Sequence, residues 1–388
     1  MESSKKIVWY NLAFMAFSTV WGFGNVLNGF VYFNGIQVIF SWILMFALYF
    51  VPYALMVGEL GSAFKDSGGG VSSWINETIG PKFAYYAGWT YWACHITYIA
   101  SKGSGGLKAL SWAVFRNAET YDTFPTVYVQ LGTLAVFLFF CWVASRGLNP
   151  LKKLATIAGS SMFIMSILYI LMMFDPAVIN GTQESFNSYV SNGSYWAFQK
   201  LGGYYHMGDA LLIIYALCNM IGQFSTLVLS IDAPLRMLLD NEEAREFIPS
   251  GLLKKNKYGA YINGIWMVVI LSGSIILIQS FVPGAASVLA QLNKLNSVTM
   301  PMRYLWVFAA YIALRTARNK FQPEYRFVKN QGVAMTFGIW CFILTAACCI
   351  MGMYTPGDMF TTALNVITPV VLTALGMILP VIKRNEKA

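Results

Sequence analysis

The sequence predicts an all-α membrane protein with about ten transmembrane helices, and three observations lead to this prediction. Of its 388 residues, 57% are hydrophobic and only 11% are charged, against about 25% charged in an ordinary soluble domain. Several segments are long and apolar enough to span a bilayer, which takes about 20 residues each. Basic residues alternate between connections, as they do in polytopic proteins. The chain is therefore predicted to be a single integral membrane domain, residues 1–388.

The predicted spans follow one another with mostly short connections. The first span is too long for a secretory leader and lacks a small-residue cleavage site, so it is predicted to remain in the protein. The longest outside connection, 175–207, is rich in Asn, Ser, Gly and Tyr and separates spans one to five (1–174) from five further spans (208–388). The spans lie at approximately 7–34, 37–63, 83–112, 125–145, 153–174, 208–230, 258–281, 296–316, 331–353 and 358–382.

The net charge of +9 is distributed unevenly between the two sides of the membrane. If Lys5 and Lys6 are cytoplasmic, 20 of the 26 basic residues collect on that side, whereas the opposite connections contain only Arg116, Lys200 and Lys294. The positive-inside rule then predicts that both termini are cytoplasmic. Topology accounts for the positive charge, so no nucleic-acid partner is predicted.

No metal, cofactor or enzymatic site is predicted. His95 and His206 fall in different segments, with no Cys or carboxylate at ligand spacing. No set of His, Asp, Ser or Cys residues has the spacing of a catalytic site. The six cysteines fall inside apolar spans and are predicted to be free thiols: Cys94, Cys141, Cys218, Cys341, Cys348 and Cys349.

The first span contains a stretch that is unfavourable for a helix, TVWGFGNVLNGF at 19–30. Two glycines around a phenylalanine, followed by asparagines, have low helix propensity. Unwound backbone is tolerated at membrane depth only where it is buried in protein or lines a watery cavity. A break here therefore predicts a cavity beside the first span.

Two interpretations of this stretch remain open. In the first, the ends of two half-helices bind a zwitterion, with amides holding a carboxylate and carbonyls holding an ammonium group. In the second, Gly22 and Gly24 simply allow neighbouring helices to pack closely. The first interpretation assigns the amides to Gly22, Phe23, Gly24 and Asn25, and the carbonyls to Thr19, Val20 and Trp21.

Four further stretches resemble the amino acid–polyamine–organocation superfamily of permeases, especially its bacterial glutamate/γ-aminobutyrate antiporter branch. They are GELGSAFKDSGGGVSSWINETIGPKFAYYAGW at 58–89, ASRGLNPLKKLATIAG at 144–159, SIDAPLRML at 230–238 and TMPMRYLW at 299–306. The resemblance implies a twelve-helix inverted-repeat transporter fold of the LeuT type, with a broken first helix. It also implies an amino acid as the substrate.

The chain departs from this family pattern after the fifth span. Family members have a sixth span broken by glycines opposite the first, whereas the segment 208–230 resembles the family's eighth span and lacks a glycine pair. The family's sixth and seventh spans are therefore predicted to be absent, and 208–230 is predicted to be a continuous helix.

Several charged residues fall within or near the spans. Glu59, at the cytoplasmic end of its span, is interpreted as a gating, proton-linked or packing residue. Arg303 is interpreted as either an outer anion contact or an interfacial anchor. Lys102 is placed near the outer interface, about 29 Å along its helix from Phe83, where snorkelling is favoured over substrate contact. Lys108, further along, is predicted to be solvated.

Two functions fit these features. The first is secondary active transport of an amino acid across the cytoplasmic membrane by alternating access, as an exchanger or coupled to protons. The second is a transport-impaired or incomplete permease with a binding, partner or regulatory role. The fifth span has no lysine after Lys153, so lysine-based coupling is not predicted. The predicted partners are the amino acid and the lipid bilayer.

Overall fold

A computed structural model of the protein describes residues 8–20, 33, 36–68, 70–172, 186–281, 299–317 and 320–387, and in these ranges the architecture is all-helical. The helices, numbered in chain order, are α1 (Trp9–Val20), α2 (Ile36–Ala63), α3 (Val71–Thr78), α4 (Pro81–Phe115), α5 (Glu119–Thr123), α6 (Thr126–Ser145), α7 (Leu148–Met172), α8 (Phe186–Tyr204), α9 (Ala210–Leu239), α10 (Ile262–Phe281), α11 (Tyr304–Thr316), α12 (Gln331–Met353), α13 (Met359–Leu375) and α14 (Ile378–Lys387).

Seven stretches within the described ranges are long and apolar enough to cross a membrane. They are α2, α6, α7, α9, α10, α12 and the continuous segment Met359–Glu386. The predicted span 83–112 lies within α4, which is not among the seven, and the predicted spans 7–34 and 296–316 include residues outside the described ranges. The count of ten spans therefore stays a prediction.

The centre of the fold is the contact between α4 and α9. Gly88 of α4 lies against the backbone of α9, where an added Cβ would be 3.0 Å from the Leu238 Cα. Around this crossing, fully buried Phe137, Leu227 and Ile276 belong to one apolar core shared by α4, α6, α9 and α10. Small residues at the crossing let the two backbones approach, as is common between helices in membranes.

The predicted outside connection 175–207 contains a helix, α8. Its residues Tyr195, Phe198 and Leu201 are buried against α4 and α9. Tyr195 stacks on Trp112 with ring centroids 4.9 Å apart, and Phe198 stacks on Tyr215. The Asn, Ser and Gly residues of this segment suggested a loop, but Tyr195, Phe198 and Leu201 recur every three positions and form one apolar helix face.

Helix α9 confirms that the sixth predicted span is unbroken. It runs as one helix from Ala210 to Leu239 and contains Pro234 near its predicted cytoplasmic end. In the same part of the helix, Asp232 and Arg236 form the i,i+4 ion pair that their spacing suggests, at 2.6 Å.

Connections that are assigned to the same side of the membrane contact one another. Asn256 donates from its side-chain Nδ2 to the Ser145 carbonyl (2.7 Å), on the predicted cytoplasmic side. Gln199 donates to the Arg116 carbonyl (3.3 Å), on the predicted outer side. The described contacts thus fit the alternation that the basic residues predict.

Cysteine labelling tests this orientation. We expect an impermeant maleimide to label Glu119→Cys in intact cells and Lys257→Cys only after permeabilisation, because both side chains are exposed at opposite ends of the bundle. Asn192 lies in the predicted outside connection 175–207, but it is an unsuitable reporter because it is 3% exposed and accepts a hydrogen bond from Trp112. The unsubstituted protein is the control for native cysteines, and the reverse labelling pattern would contradict the orientation.

Close packing of α1 on α7 depends on Gly159. A Cβ at this position would lie 2.0 Å from the Phe14 carbonyl oxygen, a backbone atom that cannot rotate away. We expect Gly159→Ala to destabilise the protein by about 1–3 kcal/mol through overpacking, measured as a lower melting temperature in detergent. Gly203→Ala is the matched control, since nothing lies within 4 Å of its added Cβ. Equal melting temperatures for both variants would argue against this contact.

Candidate functional site

A central cavity of about 870 Å³ lies between α1, α4, α9 and the segment 300–304. Its volume is within the range of small-molecule sites. Much of the wall is polar, although it lies within the helical bundle. Polar members of the wall include Thr19, Tyr91, Tyr98, Ser101, Ser104 and Thr226.

The first helix reaches this cavity at its last described turn. Thr226 of α9 donates to the Ser18 carbonyl (3.0 Å), and the hydroxyls of Ser18 and Ser225 are 3.4 Å apart. These contacts hold α1 against α9 where Thr19 lines the cavity. Val20 is the last residue of α1.

The remaining residues predicted to bind substrate in the first span lie outside the described residues. They are Trp21, Gly22, Phe23, Gly24 and Asn25. The predicted break and its zwitterion site therefore stay predictions.

Lys102 lies in the cavity wall. Its Nζ donates to the Gln223 Oε1 (3.3 Å) and sits 4.8 Å from the centroid of the Tyr98 ring. Gln223 donates in turn to Asn219 (3.4 Å), which donates to the Tyr195 hydroxyl (2.7 Å). A chain of hydrogen bonds thus joins the lysine to α8, and the predicted position of Lys102 near the outer interface stays a prediction.

Arg303 lies in the same wall. Its Nη1 is 3.0 Å from the Nε2 of His95, and the guanidinium carbon is 5.0 Å from the Tyr91 ring centroid and 5.4 Å from that of Tyr304. Arg303 thus contacts two tyrosine rings and the imidazole of His95, whose two ring nitrogens lie 3.0 and 3.3 Å from its Nη1.

The electrostatics of the cavity favour an anion. Lys102 and Arg303 bring two cationic side chains to it, and the described residues of its wall include no Asp or Glu. Neither cation forms an ion pair with any carboxylate in the described ranges. Unpaired charges within a membrane-spanning bundle are costly, and a bound carboxylate would offset that cost.

Glu59 belongs to a separate site on the predicted cytoplasmic side. It is fully buried, and its Oε2 accepts from Arg315 (2.5 Å), from the Phe327 amide (3.0 Å) and from the Tyr311 hydroxyl (3.4 Å). Arg315 also donates to the Val328 carbonyl (2.9 Å). The contacts join α2 to α11 and the following connection, so they support a packing role and do not bring Glu59 to the central cavity.

Of the residues singled out from the sequence, Thr19, Lys102 and Arg303 line the cavity, and their roles stay predictions. Sequence reasoning missed His95, Gln223 and Tyr91 as members of the same wall. A usable signal was present, because an ionisable residue inside a span is by default a candidate for function. The described ranges contain no group of three or more His, Cys, Asp or Glu side chains that could hold a metal ion.

Comparison with known proteins gives consistent matches. Residues 7–225 match the amino acid permease family. The aspartate/glutamate permease AcaP of Lactococcus lactis subsp. cremoris (strain MG1363) is 38% identical, in an alignment covering 99% of this chain and 96% of that protein. The inner membrane transporter YjeM is 27% identical in Escherichia coli (strain K12) and 28% in Salmonella typhimurium, over 46% of this chain and 36% of each relative.

Proposed function

The chain belongs to the amino acid permease family, and from that premise we propose that it binds acidic amino acids, aspartate or glutamate, in the central cavity. It is a multi-pass membrane protein and a transporter rather than an enzyme. The observation that supports the acidic substrate is the pair of cations, Lys102 and Arg303, in a wall whose described residues include no carboxylate. The Lactococcus relative is an aspartate/glutamate permease, which agrees with this charge.

The three charges of an acidic amino acid need different partners. The side-chain carboxylate is matched by Arg303, whose planar guanidinium binds carboxylates through two hydrogen bonds. The α-carboxylate is assigned to the amides of Gly22 to Asn25, with Lys102 as the second cation of the cavity. The ammonium group is assigned to carbonyls at Thr19, Val20 and Trp21 and to the hydroxyls of the wall.

Transport mode and orientation are part of the same proposal. The permease works by alternating access, as an exchanger or coupled to protons, in the cytoplasmic membrane with both termini cytoplasmic. A narrower form of this proposal is the exchange of glutamate for γ-aminobutyrate. Its test is whether γ-aminobutyrate, which has no α-carboxylate, competes with aspartate.

An incomplete permease is the second candidate, and a specific observation favours it. The alignment with the Lactococcus permease runs over 474 positions, more than the 388 residues of this chain, so that relative has internal sequence without a counterpart here. This agrees with the proposed absence of two spans, as does the continuous helix α9. Such a chain would bind substrate and transport it poorly.

Binding and transport should be measured separately on the purified chain. We expect radiolabelled aspartate to bind in detergent and to be displaced by glutamate but not by asparagine at similar concentration. Counterflow in proteoliposomes should be weak if two spans are absent, and robust counterflow would overturn that part of the proposal. Equal displacement by asparagine and glutamate would overturn the acidic substrate.

A further inference from the structure

The turn between α6 and α7 meets the connection before α10 at the predicted cytoplasmic end of the bundle. Asn256 donates to the Ser145 carbonyl (2.7 Å), and its Oδ1 accepts from the Tyr258 amide (2.9 Å). Gly147 has a φ of +84°, and an added Cβ there would collide with the Tyr258 carbonyl oxygen. Glycine tolerates both this backbone conformation and this close approach. Tyr258 is therefore held in a fixed position against the turn.

This contact in turn positions the guanidinium of Arg146. Its Nη1 donates to the Tyr258 hydroxyl (3.0 Å), and its guanidinium carbon lies 4.6 Å from the Trp142 ring centroid and 5.4 Å from that of Tyr258. A guanidinium has five N–H donors, and Arg146 forms no ion pair with a carboxylate of the described residues. The remaining donors are free to bind a phosphate in the forked geometry that arginine favours.

A second cation lies at the same tyrosine ring. The Nζ of Lys257 is 5.2 Å from the Tyr258 ring centroid. The hydrogen bond from Arg146 and the charge of Lys257 lower the pKa of Tyr258, which reflects a positive potential at its hydroxyl. In the same connection Asp240 is paired with Lys255 (2.9 Å). Two like charges at one ring repel each other, so this surface favours an anion.

On its other side the arginine adjoins an apolar face of α6. Phe139 and Trp142 are 55% and 53% exposed, and their ring centroids are 5.9 Å apart. Spacings of three and four residues place Phe139, Trp142 and Arg146 along one face of this predicted span. Tryptophan is enriched where a span meets the membrane–water interface. A lipid whose acyl chain lies along Phe139 would therefore bring its phosphate to Arg146.

We propose that this surface binds an anionic phospholipid of the cytoplasmic leaflet, with the phosphate at Arg146 and the acyl chain against α6. We call it the interfacial lipid site, formed by Phe139, Trp142, Arg146, Lys257 and Tyr258. It is independent of the proposed amino-acid substrate, because none of these residues lines the central cavity. Free phosphate would use the same donors without the apolar rings, and diffuse attraction to a basic surface would not depend on Arg146 in particular.

Phospholipid titrations of the purified protein in detergent test this site, because a ligand of the folded state raises the melting temperature. We expect phosphatidylglycerol to raise the melting temperature, phosphatidylcholine to raise it much less, and glycerol 3-phosphate at the same concentration to leave it unchanged. Arg146→Gln should weaken the apparent affinity for phosphatidylglycerol about fivefold or more. Arg326→Gln is the matched control, since it removes an exposed arginine on the same predicted side; it should weaken this affinity less than about twofold.

Three outcomes would overturn the proposal. Equal losses in Arg146→Gln and Arg326→Gln would mean diffuse attraction to the basic surface. An unchanged affinity in Arg146→Gln would mean that the lipid binds elsewhere. Equal stabilisation by glycerol 3-phosphate and phosphatidylglycerol would mean a site for soluble phosphates. If Arg146→Gln does not fold, Arg146→Lys replaces it, and we expect it to weaken phosphatidylglycerol affinity about threefold or more because an ammonium group lacks the forked donors.

Discussion

Glu59→Gln is expected to destabilise the protein by about 3–5 kcal/mol, the cost of breaking a buried ion pair by removing one partner. Glu59 is fully buried, and Arg315, whose side chain is 9% exposed, donates to it at 2.5 Å. Neutralising the carboxylate leaves the guanidinium charged in a largely buried site. The same carboxylate oxygen accepts from the Phe327 amide, so the connection after α11 should loosen as well.

The melting temperature of the purified protein in detergent measures this effect. Lys65→Gln is the matched control, since it removes an ion pair with Glu324 in which both side chains are largely exposed; it should leave the melting temperature unchanged. Aspartate binding by whatever fraction of Glu59→Gln remains folded should be normal, because Glu59 does not line the cavity. A melting temperature equal to that of the unsubstituted protein would contradict the structural role.

Removing both cations of the cavity should abolish selective binding of acidic amino acids. Each hydrogen bond to a charged group contributes about 1.5–3 kcal/mol, so Lys102→Met and Arg303→Met should each weaken aspartate affinity roughly tenfold to a hundredfold. Methionine keeps the length and apolar stem of both side chains while removing the charge. The double variant should bind aspartate no better than asparagine.

Lys108→Met provides the control for the loss of a positive charge on α4. Lys108 lies on the same helix, stacks over Tyr121 at 5.9 Å and is not part of the cavity wall. Its replacement should change aspartate affinity by less than about twofold, an allowance for long-range electrostatics screened by salt. Equal losses in Lys108→Met and Lys102→Met would mean that net charge, rather than contact in the cavity, controls affinity.

The helical architecture was largely predictable because bilayer thickness imposes a length on apolar segments. The ends of α6 and α12 fall within a residue of the predicted spans, and α9 is continuous as its composition indicates. Helix α8 was missed because its apolar residues occupy one face of an otherwise polar segment. A window average over 186–204 hides that face, whereas the spacing of Tyr195, Phe198 and Leu201 reveals it.

The site was predictable only in part. Measuring the depth of Lys102 from Phe83 assumed that the membrane begins there, yet α4 has 35 residues and is about 52 Å long, well over the roughly 30 Å of a hydrocarbon core. Helix length therefore could not set its depth. The pairing of Glu59 with Arg315 joins residues 256 positions apart, and no local pattern specifies such a contact.

Pro234 interrupts the backbone hydrogen-bond pattern of α9, although the helix is continuous. A proline has no amide hydrogen, so the carbonyl of Ser230, four residues earlier, loses the intrahelical donor that any other residue at 234 would supply. Both residues line the cavity. The helix is continuous, but the Ser230 carbonyl lacks the donor that residue 234 would otherwise supply. A proline can therefore leave a backbone carbonyl without its helical donor in a helix that remains continuous.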